Sequence, residues 1–218
     1  VSVYTCSVPM VVGGLVHNRV TNKMYCLGNY PGSTGSTPTN VMEVTMSGSS
    51  FSCTSVAGTS GWSGISATVN NATGDMYFAC MGSAAGTYGI VKYVPGAGAA
   101  TTIASGTGRV IVGMHYNIND NMLYAISIDF SGSATAPDEF VRISPSTGTV
   151  TTLAALSSHE FNSDFYSTGI DPCSNRYILS TLTGTYWGTK TVKQFNMSGT
   201  VVQSDTTPGF LGGLAIED

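Results

Sequence analysis

Four copies of one short pattern predict an all-β fold, a small β-propeller. Each copy is a polar turn that leads into a strand with a central tyrosine: Asn18–Cys26, Asn70–Phe78, Asn117–Ala125 and Ile170–Ile178. The tyrosines Tyr25, Tyr77, Tyr124 and Tyr177 are 52, 47 and 53 residues apart. A repeat of this length, with short strands and Gly-rich turns, is typical of propeller blades. Propellers carry binding, scaffolding and catalytic roles, so the fold class predicts no function.

Alternation of apolar and polar residues between turn signals predicts four strands, A to D, in each blade. The four blades cover about residues 11–56, 62–104, 110–154 and 165–204 of one domain, residues 1–218. The predicted strands are 11–18, 23–28, 41–46 and 50–56; 64–70, 75–81, 89–94 and 100–104; 110–117, 122–128, 139–144 and 150–154; and 166–170, 176–182, 191–196 and 200–204. Asn22, Gly74 and Asn121 each lie three residues before a tyrosine, where a tight A–B turn needs a residue that tolerates positive φ.

One additional strand is predicted at each terminus. Residues Val3–Val8 resemble the D strand around Cys53, and residues Gly209–Ile216 resemble the A strand at Met10–His17. Unpaired apolar strand edges invite association. These strands therefore complete a four-blade ring, pair with neighbouring copies, or belong to a longer protein.

The fourth copy of the pattern resembles the YVTN and NHL-like β-propeller repeats. The turn of the type D-P-x-x-N-x-x-Y-V in those repeats is matched best by Asp171, Pro172, Asn175, Tyr177 and Ile178, with one residue fewer between the asparagine and the tyrosine. The first copy fits it loosely through Asn18, Thr21, Asn22 and Tyr25. These are turn and core residues, so the resemblance implies a fold and no catalytic residue.

Composition narrows the function classes. Only 9% of the residues are charged and the net charge is −4, whereas a typical domain has roughly 25% charged residues. Such a hydroxyl- and amide-rich surface favours a secreted or surface-displayed protein. Eight scattered Lys and Arg residues form no basic stripe, which disfavours nucleic acid. No apolar run approaches the ~20 residues of a spanning helix, and because the chain begins at Val1 we expect a processed form or a fragment.

The five cysteines form no C-x-x-C pair, so a zinc site is not expected. Cys6 and Cys53 occur in similar strands, and Cys26 and Cys80 both follow an aligned tyrosine. This repetition predicts disulfides Cys6–Cys26 and Cys53–Cys80, with Cys173 unpaired, in an oxidising compartment. Alternatively, the cysteines pack as small buried apolar residues.

Catalytic motifs do not fit this chain. Gly61–Gly64 precedes a strand and is no nucleophile elbow, and residues 184–190 lack the Gly-Lys pair of a phosphate loop. We expect inner-channel structural roles for His17 and His115, with a channel ion as the alternative. The chain contains no loop with the Asp and Asn spacing of a calcium site. We therefore expect no cofactor and no metal ion.

Aromatic and acidic residues gather in the B–C and D–A loops, which share one face of a propeller. Flat rings and carboxylates suit contact with protein or glycan, although the tryptophans could instead fill gaps between blades. The sequence therefore predicts a non-enzymatic interaction or structural module, which could belong to a repeating surface assembly. One alternative is a lectin using Tyr30, Trp62, Tyr88 and Trp187. The other is a hydrolase or lyase in which His159, Glu160 and Asp164 converge with a nucleophile at the channel mouth. Two N-glycosylation sequons, at Asn71 and Asn196, are predicted on the opposite face. The candidate contact residues are Tyr30, Trp62, Tyr88, Asp129, Asp138, Glu160, Asp164, Tyr186 and Trp187, with Phe130 in the same loops.

Overall fold

The computed structural model describes most of the chain, as two compact units, Val1–Thr107 and Gly108–Asp218. All regular structure in the described residues is β-strand, and they contain no helix long and apolar enough to cross a membrane. A single domain over residues 1–218 stays a prediction. The described residues are 5–6, 11–29, 39–47, 50–59, 61–82, 84, 86–130, 136–156, 168–183 and 189–207.

The first unit contains two sheets, in each of which four consecutive strands pair antiparallel in the order A-B-C-D. The short strand β1 adds a fifth strand to the first sheet, parallel to its D strand β5. β2 of the first sheet lies against β6 of the second. The strands are β1 (Thr5–Cys6), β2 (Val11–Asn18), β3 (Lys23–Asn29), β4 (Thr39–Ser47) and β5 (Ser50–Thr59), then β6 (Ser63–Val69), β7 (Met76–Met81), β8 (Thr87–Tyr93) and β9 (Ala100–Thr107).

The second unit repeats this arrangement with two four-stranded antiparallel sheets. Its A strands, β10 and β14, contact each other. The strands are β10 (Arg109–Asn117), β11 (Met122–Asp129), β12 (Glu139–Ile143) and β13 (Val150–Ala155), then β14 (Thr168–Asp171), β15 (Arg176–Thr183), β16 (Thr189–Asn196) and β17 (Val201–Thr207).

The predicted division into four-stranded blades is confirmed, with strand ends that differ by a few residues. Of the predicted N-terminal strand Val3–Val8, Thr5–Cys6 forms β1. The predicted strand Gly209–Ile216 lies outside the described residues. Closure of the blades into one ring stays a prediction.

The A–B turns have the backbone conformation that the sequence predicts. Asn22, Gly74 and Asn121 have φ angles of 53°, 80° and 59°, and Asn175 of the fourth blade has 53°. Asparagine and glycine tolerate this left-handed region better than other residues. The turn therefore reverses the chain tightly and starts each B strand in register.

A buried asparagine ends the A strand of the first blade and connects it to the second. Asn18 is fully buried, and its Oδ1 accepts hydrogen bonds from the amides of Val20 and Thr21 at 3.0 and 3.2 Å. Its Nδ2 donates to the carbonyl of Gly74 in the A–B turn of the next blade, at 2.8 Å. One side chain thus shapes its own turn and holds the neighbouring turn at a set distance.

The second unit repeats this contact 99 residues later in the sequence. Asn117 Oδ1 accepts from the amide of Asn119, and Asn117 Nδ2 donates to Asn175 Oδ1 at 2.9 Å. In the last blade Asp171 takes the same place and accepts from the amide of Cys173 at 3.0 Å. A carboxylate can form the turn, although it has no N–H to donate to a further blade.

We predict that Asn18→Ala lowers the free energy of unfolding by about 2–4 kcal/mol, because it removes a buried donor and the acceptor of two turn amides. Urea denaturation followed by circular dichroism measures the loss. Asn18→Asp is the matched variant, since it keeps the turn acceptor and places a carboxylate against the Gly74 carbonyl. If Asn18→Asp is as stable as the unchanged protein, the bond between the two blades contributes nothing.

The repeat tyrosines are core residues, as the sequence predicts. Tyr25 and Tyr77 are 3% exposed, and Tyr124 and Tyr177 are fully buried. In the second unit Phe140 lies between Tyr124 and Tyr177, with ring centroids 5.8 and 4.8 Å apart. Such aromatic contacts stabilise a core beyond their apolar area.

Tyr177 also carries a bond between blades. Its hydroxyl donates to the carbonyl of Gly113 in β10 at 2.7 Å, inside the core. Gly113 has a φ of 57°, and a Cβ there would lie 2.6 Å from Thr168 Oγ1. The missing side chain at Gly113 is what lets β14 approach β10 closely.

We predict that truncating any repeat tyrosine to alanine costs roughly 3–5 kcal/mol of stability, through the cavity it leaves. Tyr177→Phe should lower the free energy of unfolding by about 1–2 kcal/mol, because it keeps the ring and removes the hydroxyl that donates to the buried Gly113 carbonyl. Thermal and urea unfolding of both variants separates the two contributions. Equal stability of Tyr177→Phe and the unchanged protein would contradict a stabilising hydroxyl bond.

Two features of the described structure recur every two blades rather than every blade. Gly14 and Gly113 are 99 residues apart, both have positive φ, and both lie at a register shift in an A strand. The connections between strands B and C alternate in length: nine residues separate β3 from β4 and β11 from β12, whereas five separate β7 from β8 and β15 from β16. These features therefore recur with a period of two blades.

Each D strand carries a β-bulge opposite its C strand partner. The register irregularities lie between Val41 and Met42, Ile90 and Val91, Phe140 and Val141, and Gln194 and Phe195 of the C strands. Bulges twist an outer strand and discourage pairing with other chains. The bulged residues are all apolar: Val56, Ile103, Leu153 and Val202.

Candidate interaction site

The B–C loop of the third blade, residues 130–138, presents an aromatic ring on an anchored base. Phe130 is 49% exposed, while its amide donates to the carbonyl of Gly108 at 2.9 Å. At the other end Asp138 is 2% exposed, its Oδ1 accepts from the amide of Asp129 at 3.1 Å, and its carbonyl accepts from Leu156 at 2.7 Å. We call residues 130–138 the Phe130 loop.

The ion pair between Arg109 and Glu139 holds the base of the same loop. Arg109 Nη1 donates to the carbonyls of Ser127 and Pro137, both at 3.2 Å, and Arg109 Nη2 lies 3.1 Å from Glu139 Oε1. Thr152 donates to the other Glu139 oxygen at 3.1 Å. These partly buried groups connect the two strands that flank the loop, which stabilises its base. Arg109 and Glu139 were not singled out by sequence, because neither belongs to a motif.

The predicted contact residues in this loop therefore differ in role. The sequence predicts that the Asp138 carboxylate faces a partner. In the structure this carboxylate is buried and closes the loop instead. Burial beside the Asp129 amide is the physical reason, since an acidic side chain fits there as a hydrogen-bond acceptor. Asp129 is half-buried at the end of β11, and Phe130 offers the exposed apolar surface.

The sequence of the first unit contains a similar nine-residue segment between β3 and β4. Residues 30–38 read YPGSTGSTP and residues 130–138 read FSGSATAPD, so Tyr30 corresponds to Phe130 at a spacing of 100 residues. This correspondence is the signal that could have identified Phe130 as the leading candidate. Tyr30 itself lies outside the described residues.

Trp62 and Tyr88 do not form one stacking platform. A Cβ on Gly89 would lie 2.8 Å from the Trp62 indole, and a Cβ on Gly106 would lie 2.6 Å from the Tyr88 ring. Tyr88 pairs with Gly106 across the sheet, and its neighbour Gly89 points to the other face. The two rings therefore cover glycines on opposite faces of the same sheet. The remaining predicted contact residues, Glu160, Asp164, Tyr186 and Trp187, and also His159, lie outside the described residues.

The structure does not form the predicted disulfides. Cys6 in β1 and Cys26 in β3 are separated by β5 and β4, which places them roughly 14 Å apart, whereas disulfide Cα atoms lie about 4.4–6.8 Å apart. Cys53 and Cys80 lie in different sheets, and Cys80 is a free buried thiol that donates to the Phe78 carbonyl at 3.4 Å. Burial raises the pKa of the Cys80 thiol, which makes it unreactive.

The two histidines in A strands occupy different positions of the repeat. His17 is exposed, and its Nε2 lies 3.4 Å from Asn22 Oδ1. At the equivalent place in the third blade, the Tyr116 hydroxyl donates to Asn121 Oδ1 at 2.8 Å. His115 takes the place of Val16 of the first blade; its Nε2 lies 3.0 Å from Thr168 Oγ1, and its ring meets Tyr177 edge-on. An inner-channel structural role for His17 and His115 stays a prediction.

Burial lowers the pKa of His115 to about 4, with the Thr168 contact opposing the shift. The unfolded chain takes up this proton near pH 6.5, so it binds one more proton than the folded chain between pH 6.5 and about 4. We predict that stability is complete above pH 6.5 and falls by up to about 3 kcal/mol as the pH drops through this window.

His115→Val imports the residue of the first blade and is the matched control. Urea unfolding at several pH values, compared between the two proteins, cancels the contribution of the carboxylates. The variant should lose less stability on acidification than the unchanged protein. Parallel stability curves from pH 7 to pH 4 would contradict a buried neutral His115.

The two sequons lie in turns, as predicted. Asn71 follows Asn70 in the A–B turn of the second blade, and Asn70 Oδ1 accepts from the amide of Ala72 at 3.0 Å. Asn196 Oδ1 accepts from the Ser198 hydroxyl and from the amides of Ser198 and Thr200, at 2.8 to 3.1 Å. Glycosylation of either residue stays a prediction. Across the described ranges, no group of three His, Cys, Asp or Glu side chains could hold a metal ion.

Comparison with known proteins supports the fold. Residues 112–210, a little under half of the chain, match a family described as a repeat of unknown function (DUF6923). No curated protein matches the chain. The matched stretch spans two blades, which agrees with the two-blade period.

Solved structures similar to the chain include β-propeller proteins, and the proteins have different roles. A chain of the nidogen/laminin complex has a TM-score of 0.62 at 12% identity, over 92% of this chain and 65% of that one. The Dos1 propeller has a TM-score of 0.55 at 10% identity, over 94% and 52%. A puromycin-hydrolyzing peptidase from Mycobacterium tuberculosis has a TM-score of 0.58 at 10% identity, over 88% and 28%. This chain thus spans less than two thirds of each, and the similarity shows a propeller-like all-β fold alone.

Proposed function

We propose that this chain is a non-enzymatic interaction or structural module of a secreted or cell-surface protein, which contacts a protein partner through its B–C loops. The observation that carries the proposal is the Phe130 loop, where an aromatic ring is 49% exposed on a base held by Arg109 and Asp138. An exposed aromatic ring on a rigid base loses little entropy on binding and buries a large area.

The contrast between scaffold and loop supports this role. In the A–B turns, backbone amides already donate to the side-chain oxygens of Asn18, Asn117 and Asp171. The loop ring, by comparison, points its apolar surface outward. A low charge content also suits an extracellular surface whose contacts depend on hydrogen bonds and rings rather than ion pairs.

Glycan binding is the alternative role, and the positions of Trp62 and Tyr88 disfavour it in the first unit. Sugar rings stack on aromatic faces that are open to solvent, whereas these two rings are half-buried over Gly89 and Gly106 on opposite sheet faces. Tyr30 and Trp187 remain candidates for stacking. A hydrolase or lyase would need His159, Glu160 and Asp164 to converge with a nucleophile.

We predict that Phe130→Ala weakens binding to a protein partner by tenfold or more, about 1.4 kcal/mol, without changing the unfolding temperature. The labelled chain is applied to an array of extracellular proteins and to a glycan array. Ile118→Ala is the matched control, because Ile118 is 51% exposed in an A–B turn and lies outside the loop face.

Three outcomes would overturn the proposal. Glycan binding that survives Phe130→Ala and is lost in Trp187→Ala would indicate a lectin. Hydrolysis of ester, peptide or glycoside substrates that is lost in Glu160→Gln would indicate an enzyme. Equal loss of protein binding in Phe130→Ala and Ile118→Ala would show that the loop has no special part in it.

A further inference from the structure

One face of the first blade collects sulfur-containing side chains. Residues that oppose each other across paired strands share a face, and so do residues two apart in one strand. Cys26 of β3 opposes Met42 of β4, and Met24 lies two residues before Cys26. We call this side of the sheet the sulfur face. All methionines and cysteines of β3, β4 and β5 lie on it: Met24, Cys26, Met42, Met46 and Cys53.

The opposite face of the same blade builds the core of the first unit. Val16, Tyr25, Leu27 and Val41 lie on that face, in one cluster with buried residues of β7 and β8 such as Phe78. Tyr25 opposes Val16 in β2, and Leu27 opposes Val41 in β4. The sulfur face is therefore chemically distinct from the face that joins the two blades.

The third blade shows that the fold does not require sulfur at these positions. The residues that follow Met24, Cys26 and Met42 at a spacing of 99 are Leu123, Ala125 and Val141. Ala125 opposes Val141 as Cys26 opposes Met42, and all three residues of the third blade are fully buried. Aliphatic side chains thus satisfy the packing, and the three sulfurs of the first blade have a chemistry that packing alone does not demand.

The sulfur face extends from the interior to the surface. Cys26 is fully buried and Met42 is 2% exposed, while Met24 is half-buried. His17 is exposed and opposes Met24 across β2 and β3, and Met46 is 54% exposed farther along β4. Nitrogen and sulfur donors therefore lead from solvent to the buried pair of Cys26 and Met42.

We propose that Met24, Cys26 and Met42 form a binding site for a soft monovalent metal ion, copper(I). Thiolate and thioether sulfurs are the protein ligands that favour Cu(I). Opposed residues place their Cβ atoms roughly 4.5–5.5 Å apart, and the rotatable bonds of methionine let both thioethers turn toward the Cys26 sulfur.

Charge favours a monovalent ion at this place. On binding, the Cys26 thiol releases its proton to solvent and a copper–sulfur bond forms. One thiolate then neutralises one Cu(I), and the two thioethers add no charge. A divalent ion such as Zn²⁺ would leave a net positive charge beside two buried side chains, which is costly.

This inference is compatible with the finding that the described ranges hold no group of three His, Cys, Asp or Glu side chains for a metal ion, because two of its three ligands are thioethers. The spacing of residues along the chain does not reveal such a site, since Met42 joins the other two ligands only across the sheet. The site also lies apart from the Phe130 loop, and it does not depend on what that loop binds.

Anaerobic titration with Cu(I), in competition with a chelator of known affinity, tests the inference. All proteins carry Cys173→Ser, because Cys173 is an exposed thiol that can bind copper by itself. We expect one Cu(I) per chain and the release of one proton. The apparent affinity should therefore rise about tenfold per pH unit while the thiol is protonated.

The third blade supplies the test substitutions. Met24→Leu, Cys26→Ala and Met42→Val import its residues, and each should weaken Cu(I) binding by about tenfold or more. Met114→Leu and Cys80→Ala are the matched controls, since they remove buried sulfur from other blades and should leave the affinity unchanged. Circular dichroism checks folding, and bound Cu(I) should raise the unfolding temperature of the Cys173→Ser protein only where the three sulfurs are intact.

Three results would overturn the proposal. The first is a Cys173→Ser protein that takes no Cu(I) from the chelator. The second is binding of equal strength in the three test variants and the two controls. The third is binding that survives Cys26→Ala and is lost in Cys53→Ala, which would place the ion at a different thiol of the sulfur face.

Discussion

The asparagine that ends strand A is the constraint on which the described fold depends. A buried amide must satisfy both its oxygen and its nitrogen, because an unpaired polar atom in the core is costly. In Asn18 and Asn117 the oxygen is satisfied by the amides of its own turn, and the nitrogen is satisfied by the turn of the next blade. Local turn geometry and the spacing of neighbouring sheets are thereby set by one side chain. The tyrosine that follows enters the core in a fixed register for the same reason.

The scaffold and the loops follow different rules. In the scaffold, equivalent places keep equivalent chemistry, as with His17 and Tyr116, which both contact the positive-φ asparagine of their own turn. Where the interior differs, as between Val16 and His115, the change is absorbed by a local partner, Thr168. The Phe130 loop instead uses an arginine, a glutamate and a buried aspartate that have no counterpart in the turn pattern. The repeated contacts therefore support stability, and the contacts of the Phe130 loop lie outside the repeat.

Sequence reasoning predicted the strands, the positive-φ turn residues and the buried tyrosines, because all three depend on residues close together in the chain. It failed where distance across the fold decides. Cys6 and Cys26 occupy matching repeat positions, yet equivalence in a repeat implies equal surroundings rather than proximity. Trp62 and Tyr88 were grouped by loop and are separated by the two faces of a sheet. Asp138 was assigned outward because it is acidic, although its oxygen closes the loop on the Asp129 amide.

The two-blade period has a consequence for how such a chain can change length. Gly14 and Gly113 leave room for the A strand of the following blade, which approaches within a distance that no side chain would tolerate. Within each unit the first blade is thus shaped to fit the second. Gene duplication or loss that moved a single blade would separate such a pair and lose that fit. Addition or loss of a whole unit of about one hundred residues preserves it.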